Sequence, residues 1–79
     1  MADRMTATDL ATLIRVKRAE KRWSQADLAA KAGVSRSLVA YVENGGRPSI
    51  STLKKLATAL GISASELSAI LLAEEASHA

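Results

Sequence analysis

The chain has 79 residues, enough for one small domain that hides about 60–65% of the surface its unfolded form exposes. It contains no cysteine and one histidine, His78, beside the last residue, which argues against disulfide frameworks and against any metal site; no cofactor is expected. The net charge of +3 is unevenly spread: residues 15–55 carry ten Lys and Arg against three carboxylates, whereas residues 56–79 hold three glutamates and no Lys or Arg, a distribution that suits a polyanionic partner.

Alanine and leucine dominate and phenylalanine is absent, which favours helices packed through small contacts over a sheet, so the expected fold class is all-α. The first predicted helix spans about residues 8–21, with Leu10, Leu13 and Ile14 at helical spacing, Thr6 or Thr8 as N-cap, and Lys21 and Arg22 suiting its C-terminal dipole. A second, of about two turns, starts at Ser24, where Asp27 three residues on makes a capping box, and stops at Gly33. Trp23, just before that cap, is expected to pack as an apolar staple. After a turn of three or four residues, Ser35 caps a third helix that ends at Asn44-Gly45. Gly45-Gly46-Arg47-Pro48 reads as a loop, and Ser49 caps a fourth helix with Ile50, Leu53, Leu56, Ala57 and Leu60 on its apolar face, stopped by Gly61. Ser63 and Glu66 make a full capping box for a fifth helix carrying Leu67, Ile70, Leu71 and Leu72, with a tail that frays after about Glu75. One domain over residues 1–79, folded from about 8 to 75, is the expected organisation. No apolar run reaches the length of a signal peptide core or a membrane span, so no membrane partner and a cytoplasmic location are expected.

Two short helices joined by a tight, glycine-containing turn form the helix-turn-helix signature, in which the second helix lies in the DNA major groove. In the third helix Val39 and Val42 point inward while Arg36, Ser37, Ala40 and Tyr41 share the outward face. Arginine donates bidentately to guanine, serine bonds either base edge, and alanine meets a thymine methyl, so these four are the candidate base readers. For Arg36 the competing role is a phosphate contact, and for Tyr41 it is packing over the third helix or the following loop.

The stretch SQADLAAKAGVSRSLVAYVENG, preceded by RVKRAEKRW and followed by GRPSISTLKKLATALGIS, resembles the phage-repressor and Cro-type family of helix-turn-helix domains, also called the xenobiotic-response-element type, over roughly residues 10–72. The resemblance implies a compact five-helix repressor-like domain that binds double-stranded DNA, usually as a homodimer. It also implies phosphate contacts from Gln25 and Asn44 and a salt bridge between Arg18 and Glu43. Arg18 and Arg47 complete the expected phosphate-binding set. The sequence departs from the family at Arg22, where many members carry glycine, at Lys17, where many are apolar, and in its short Gly46-Arg47 loop.

The serines at 24, 35, 49 and 63 all fall at helix starts, where capping accounts for them, and no histidine lies nearby to activate one, so no catalysis is expected. The expected function is a transcriptional regulator, a dimeric repressor or Cro-like switch on a near-palindromic operator. The alternative is an antitoxin or adaptor that binds a protein partner as well as DNA. On the fifth helix Ala69, Leu72, Ala73 and Ala76 form a stripe suited to a two-fold contact. Otherwise Leu72 completes the monomer core and subunits pair through the loop before the fourth helix or only on DNA.

Overall fold

The computed structural model describes residues 9–78, and the side chains of residues 9–72. Five helices follow one another: α1 (Leu10–Glu20), α2 (Gln25–Ala32), α3 (Arg36–Glu43), α4 (Ile50–Leu60) and α5 (Ala64–His78). Among the described residues there is no strand.

Each start is set by a side-chain oxygen that takes up an amide left without a partner in the first turn. Ser24 Oγ accepts from the Asp27 N–H at 3.0 Å while Asp27 Oδ2 accepts from the Ser24 N–H at 2.9 Å, so the predicted capping box is present. The Ser24 backbone N–H, and after it the Ser24 hydroxyl, hold the Asp27 carboxyl below the usual carboxylate range. Ser35 and Ser49 accept from the Leu38 and Thr52 amides. Ser63 accepts from the Glu66 N–H at 3.0 Å, but the Glu66 carboxylate faces Lys17 Nζ of α1 at 3.5 Å, tying α5 to α1. The cap of α1 is Asp9, whose Oδ1 accepts from the Thr12 N–H at 2.8 Å. This corrects the expectation of Thr6 or Thr8, both outside the described residues. Asp9 stands next to the first buried residue, Leu10, and its extended backbone aims the carboxylate at the amides.

Four helix ends close in one pattern, in which a left-handed residue lets the next N–H reach back to the carbonyl five residues earlier. The pairs are Trp23 to Arg18, Val34 to Ala29, Gly46 to Tyr41 and Ile62 to Ala57, at 2.8–3.2 Å. The left-handed residues are Arg22, Gly33, Gly45 and Gly61. Arg22, with φ +60°, is the one without glycine's freedom, at the position where the sequence departs from the family.

The core joins Leu10, Leu13 and Ile14 of α1, Leu28 of α2, Val39 and Val42 of α3, and Leu53, Leu56 and Leu60 of α4, closed by Ile70 of α5 with Leu67 and Leu71 half-buried against it. Trp23 packs on its edge, with the Lys21 and Lys31 ammoniums 5.3 and 5.8 Å from its ring centroid. Ile50, expected on the apolar face of α4, is 64% exposed. It is the first residue of α4, and a helical side chain leans toward the N-terminus, so there it projects past the neighbouring helices. The tail expected to fray after Glu75 continues α5 to His78, through residues with no helix breaker.

Candidate nucleic-acid interface

α2 and α3 meet through the short turn Gly33-Val34-Ser35, and the full burial of Val39 and Val42 settles the rotation of α3. With those two turned inward, Arg36 and Ser37 in the first turn and Tyr41 one turn later are exposed, and Ala40 between them is half-exposed. These four predicted residues lie on one side of one helix. Tyr41 is 54% exposed, so its ring stays outside the core, and it lies against Gly46 of the following loop.

At the other end of α3 stands a buried charge. Glu43, the last residue of the helix, has a side chain only 4% exposed. Arg18 of α1 grips it in a fork, Nε donating to Oε2 at 2.6 Å and Nη2 to Oε1 at 3.0 Å. The third side of the guanidinium donates through Nη1 to the Trp23 carbonyl at 2.8 Å, and Gln25 Nε2 of α2 donates to Glu43 Oε1 at 3.1 Å. One carboxylate therefore ties together α1, α2 and α3. Burial is the largest influence on Glu43 and opposes ionisation, but the hydrogen bonds from Arg18 and Gln25, with the charges of Arg18 and Arg15, outweigh it and hold the carboxyl below its ordinary range. The same bond to Glu43 raises the Arg18 pKa against the opposing effect of desolvation.

With three of its five N–H donors spent inside the domain and its charge facing Glu43, Arg18 forms the expected ion pair and braces α1 against α3. Gln25, expected at a phosphate, is turned toward Glu43 by the same cluster. Because the carboxylate only accepts, the Gln25 nitrogen must face it, which leaves the second Nε2 N–H and the amide oxygen for other partners. Asn44 and Arg47 are exposed in the segment that leaves α3. Sequence reasoning missed the Gln25 and Trp23 arms of the cluster, for which residue spacing carries no signal.

On α5, Leu72 is 65% exposed and Ala69 is also exposed. Ala73 and Ala76 lie outside the residues whose side chains are described. Among the described residues, no group of His, Cys, Asp and Glu is placed to hold a metal, and no helix is long and apolar enough to cross a membrane.

Three curated relatives are each 38% identical to the chain over 72 residues, 90% of its length: uncharacterised HTH-type transcriptional regulators of Mycobacterium bovis and of two strains of Mycobacterium tuberculosis. The chain spans 28% of the length of those proteins. No solved structure gives a significant match. The helix-turn-helix family model matches residues 14–67, from the middle of α1 into α5 and across the whole α2–α3 unit. The chain belongs to the phage-repressor and Cro-type, xenobiotic-response-element family of helix-turn-helix DNA-binding domains.

Proposed function

We propose that this DNA-binding regulator is a sequence-specific dimeric repressor or Cro-like switch on a near-palindromic operator, with α3 lying in the major groove. The observation that carries the reading is the outward face of α3, where Arg36, Ser37, Ala40 and Tyr41 stand together because Val39 and Val42 are buried behind them. Arg36 donates to guanine O6 and N7, Ser37 bonds the neighbouring base edge, Ala40 meets a thymine methyl, and the Tyr41 phenol reaches a base edge or phosphate. Asn44 and Arg47 hold the backbone beyond the C-terminal end of α3, and Gln25 holds it at the start of α2, where helical amides point outward. A second copy joins across the Ala69, Leu72, Ala73 and Ala76 face of α5, which sets the two recognition helices about 34–36 Å apart. In a cell without a nucleus, such a regulator works in the cytoplasm.

Selection from random duplexes tests this directly. Enrichment of one near-palindromic sequence is expected, with affinity that falls with salt at a log–log slope of roughly −4 to −7 if about 4–8 phosphates are neutralised per dimer. Uniform recovery of all sequences, or binding indifferent to salt, refutes the reading.

A further inference from the structure

The end of α3 differs from the other three helix ends that close in the same pattern. After α1, α2 and α4 the residue that reaches back is apolar: Trp23, Val34 and Ile62 each pack on the core. Such closures ordinarily add a contact between that residue and the side chain of the one whose carbonyl it meets. After α3 the reaching residue is Gly46, whose N–H donates to the Tyr41 carbonyl at 2.8 Å. The Tyr41 ring occupies the space where a side chain would stand, since a Cβ built on Gly46 would lie 2.5 Å from both Cε1 and Cε2 of that ring. Gly46 is outside the left-handed region, so the backbone does not require glycine there. The ring does.

We infer that Gly46 is a positioning residue for Tyr41: its bare Cα seats the aromatic ring and so sets the direction in which the phenol leaves the α3 face and the base edge it meets. The inference rests on the reading of α3 as the recognition helix. An exposed tyrosine without such a seat distributes over several rotamers, and ordering one of them on DNA lowers affinity. Seated on Gly46, the ring has its conformation chosen before binding. A methyl group at position 46 meets only the far end of the ring, which is free to swing aside, so the fold accepts it while the phenol is redirected. Position 46, although it carries no side chain, therefore acts on sequence preference through Tyr41.

The experiment compares wild type, Gly46→Ala, Tyr41→Ala and the double variant by duplex selection and titration, with thermal melting and proton NMR of each free protein. The expected result is a nearly unchanged melting temperature for Gly46→Ala and an affinity for the wild-type site reduced about fivefold, the worth of one net hydrogen bond. The altered base preference should fall at the position that Tyr41→Ala also alters. In the Tyr41→Ala background, Gly46→Ala should change nothing further. In free wild type the Gly46 Hα protons should resonate upfield from ring current and return to the ordinary glycine range in Tyr41→Ala. A loss from Gly46→Ala that persists without the Tyr41 ring, wild-type preference in Gly46→Ala, or an ordinary Hα shift in wild type overturns the inference. If wild type selects no sequence at all, the recognition reading fails instead, and the Hα shift still decides whether the seat exists.

Discussion

Replacing Arg18 by methionine should be among the costliest single changes in this chain, because it strands the Glu43 carboxylate. That side chain is 4% exposed, and without Arg18 it keeps the neutral hydrogen bond from Gln25 at 3.1 Å but no cation in contact. Removing one partner of a fully buried pair costs about 3–5 kcal/mol. Arg18 itself is 21% exposed, so water reaches the gap, and a loss of about 2–4 kcal/mol is expected. A domain of this length is stable by roughly 4–12 kcal/mol, and each kilocalorie moves Tm by about 4–8 °C, so the variant should melt roughly 10–30 °C lower. Replacing both partners, Arg18→Met with Glu43→Leu, removes the stranded charge and should be less destabilising than Arg18→Met alone. The measurement is a four-member denaturation cycle at neutral pH and low salt. A coupling energy below about 0.5 kcal/mol would show that the two side chains act independently and that the cluster does not hold α1 to α3. The pH dependence follows with a definite sign. Because the Glu43 carboxyl is held below its ordinary range, its contribution is fully present above about pH 4.3, the ordinary glutamate value, and disappears as pH falls through the lowered folded value. The Tm gap between wild type and Glu43→Gln should therefore shrink on acidification below pH about 4, and a gap that is constant down to pH about 2 contradicts the assignment.

Arg22→Gly should raise Tm by a few degrees, because relief of a left-handed non-glycine residue, worth about 1–2 kcal/mol, exceeds the glycine entropy of about 0.4–1 kcal/mol; an unchanged or lower Tm means that the Arg22 side chain makes compensating contacts. Arg36→Ala should cost about 1–3 kcal/mol at one base position per half-site, whereas Lys55→Ala should weaken cognate and random duplexes equally; equal losses on both duplexes for Arg36→Ala would make it a phosphate contact. If the proposed dimer pairs through α5, Leu72→Lys should lower the dimer fraction in sedimentation while the variant stays folded, since Leu72 is 65% exposed, and an unchanged dimer fraction places the subunit contact elsewhere.

What the sequence reveals of this fold depends on how local the cause is. Ser24, Ser35, Ser49 and Ser63 are readable as caps because a cap needs one oxygen beside one or two amides, all within three residues. Three cap-forming residues near one helix start defeat the same rule: Thr6, Thr8 and Asp9 are chemically equivalent candidates, and adjacency to the buried Leu10 decides between them. Helical periodicity likewise identifies the inward face of α4 yet cannot say where the neighbouring helices stop, so Ile50 continues the pattern into solvent. Arg18 and Glu43 stand 25 residues apart, and no spacing rule joins them. Their pairing is legible only through resemblance, and the Gln25 and Trp23 arms not even so. Gly45-Gly46 reads as loop from composition, which is true of both residues and conceals that one supplies a left-handed turn and the other a seat for a ring.

The placement of the buried charge bears on how α3 is held. A carboxylate at a helix C-terminus opposes the macrodipole, so Glu43 is unfavourable for α3 taken alone and becomes tenable through the fork from Arg18. The Gly45-Gly46 closure fixes the same end through two further backbone bonds, to Val42 at 3.1 Å and Tyr41 at 2.8 Å. An eight-residue helix is only about 12 Å long, so clamping one end to α1 and α2 fixes the direction of the whole rod. The opposite end carries Arg36 and Ser37 in the first turn, capped by Ser35 alone and exposed. Chemistry that strains an isolated helix at one terminus thus leaves the other terminus aimed outward and unencumbered, with its positive dipole end toward the polyanion it is proposed to meet.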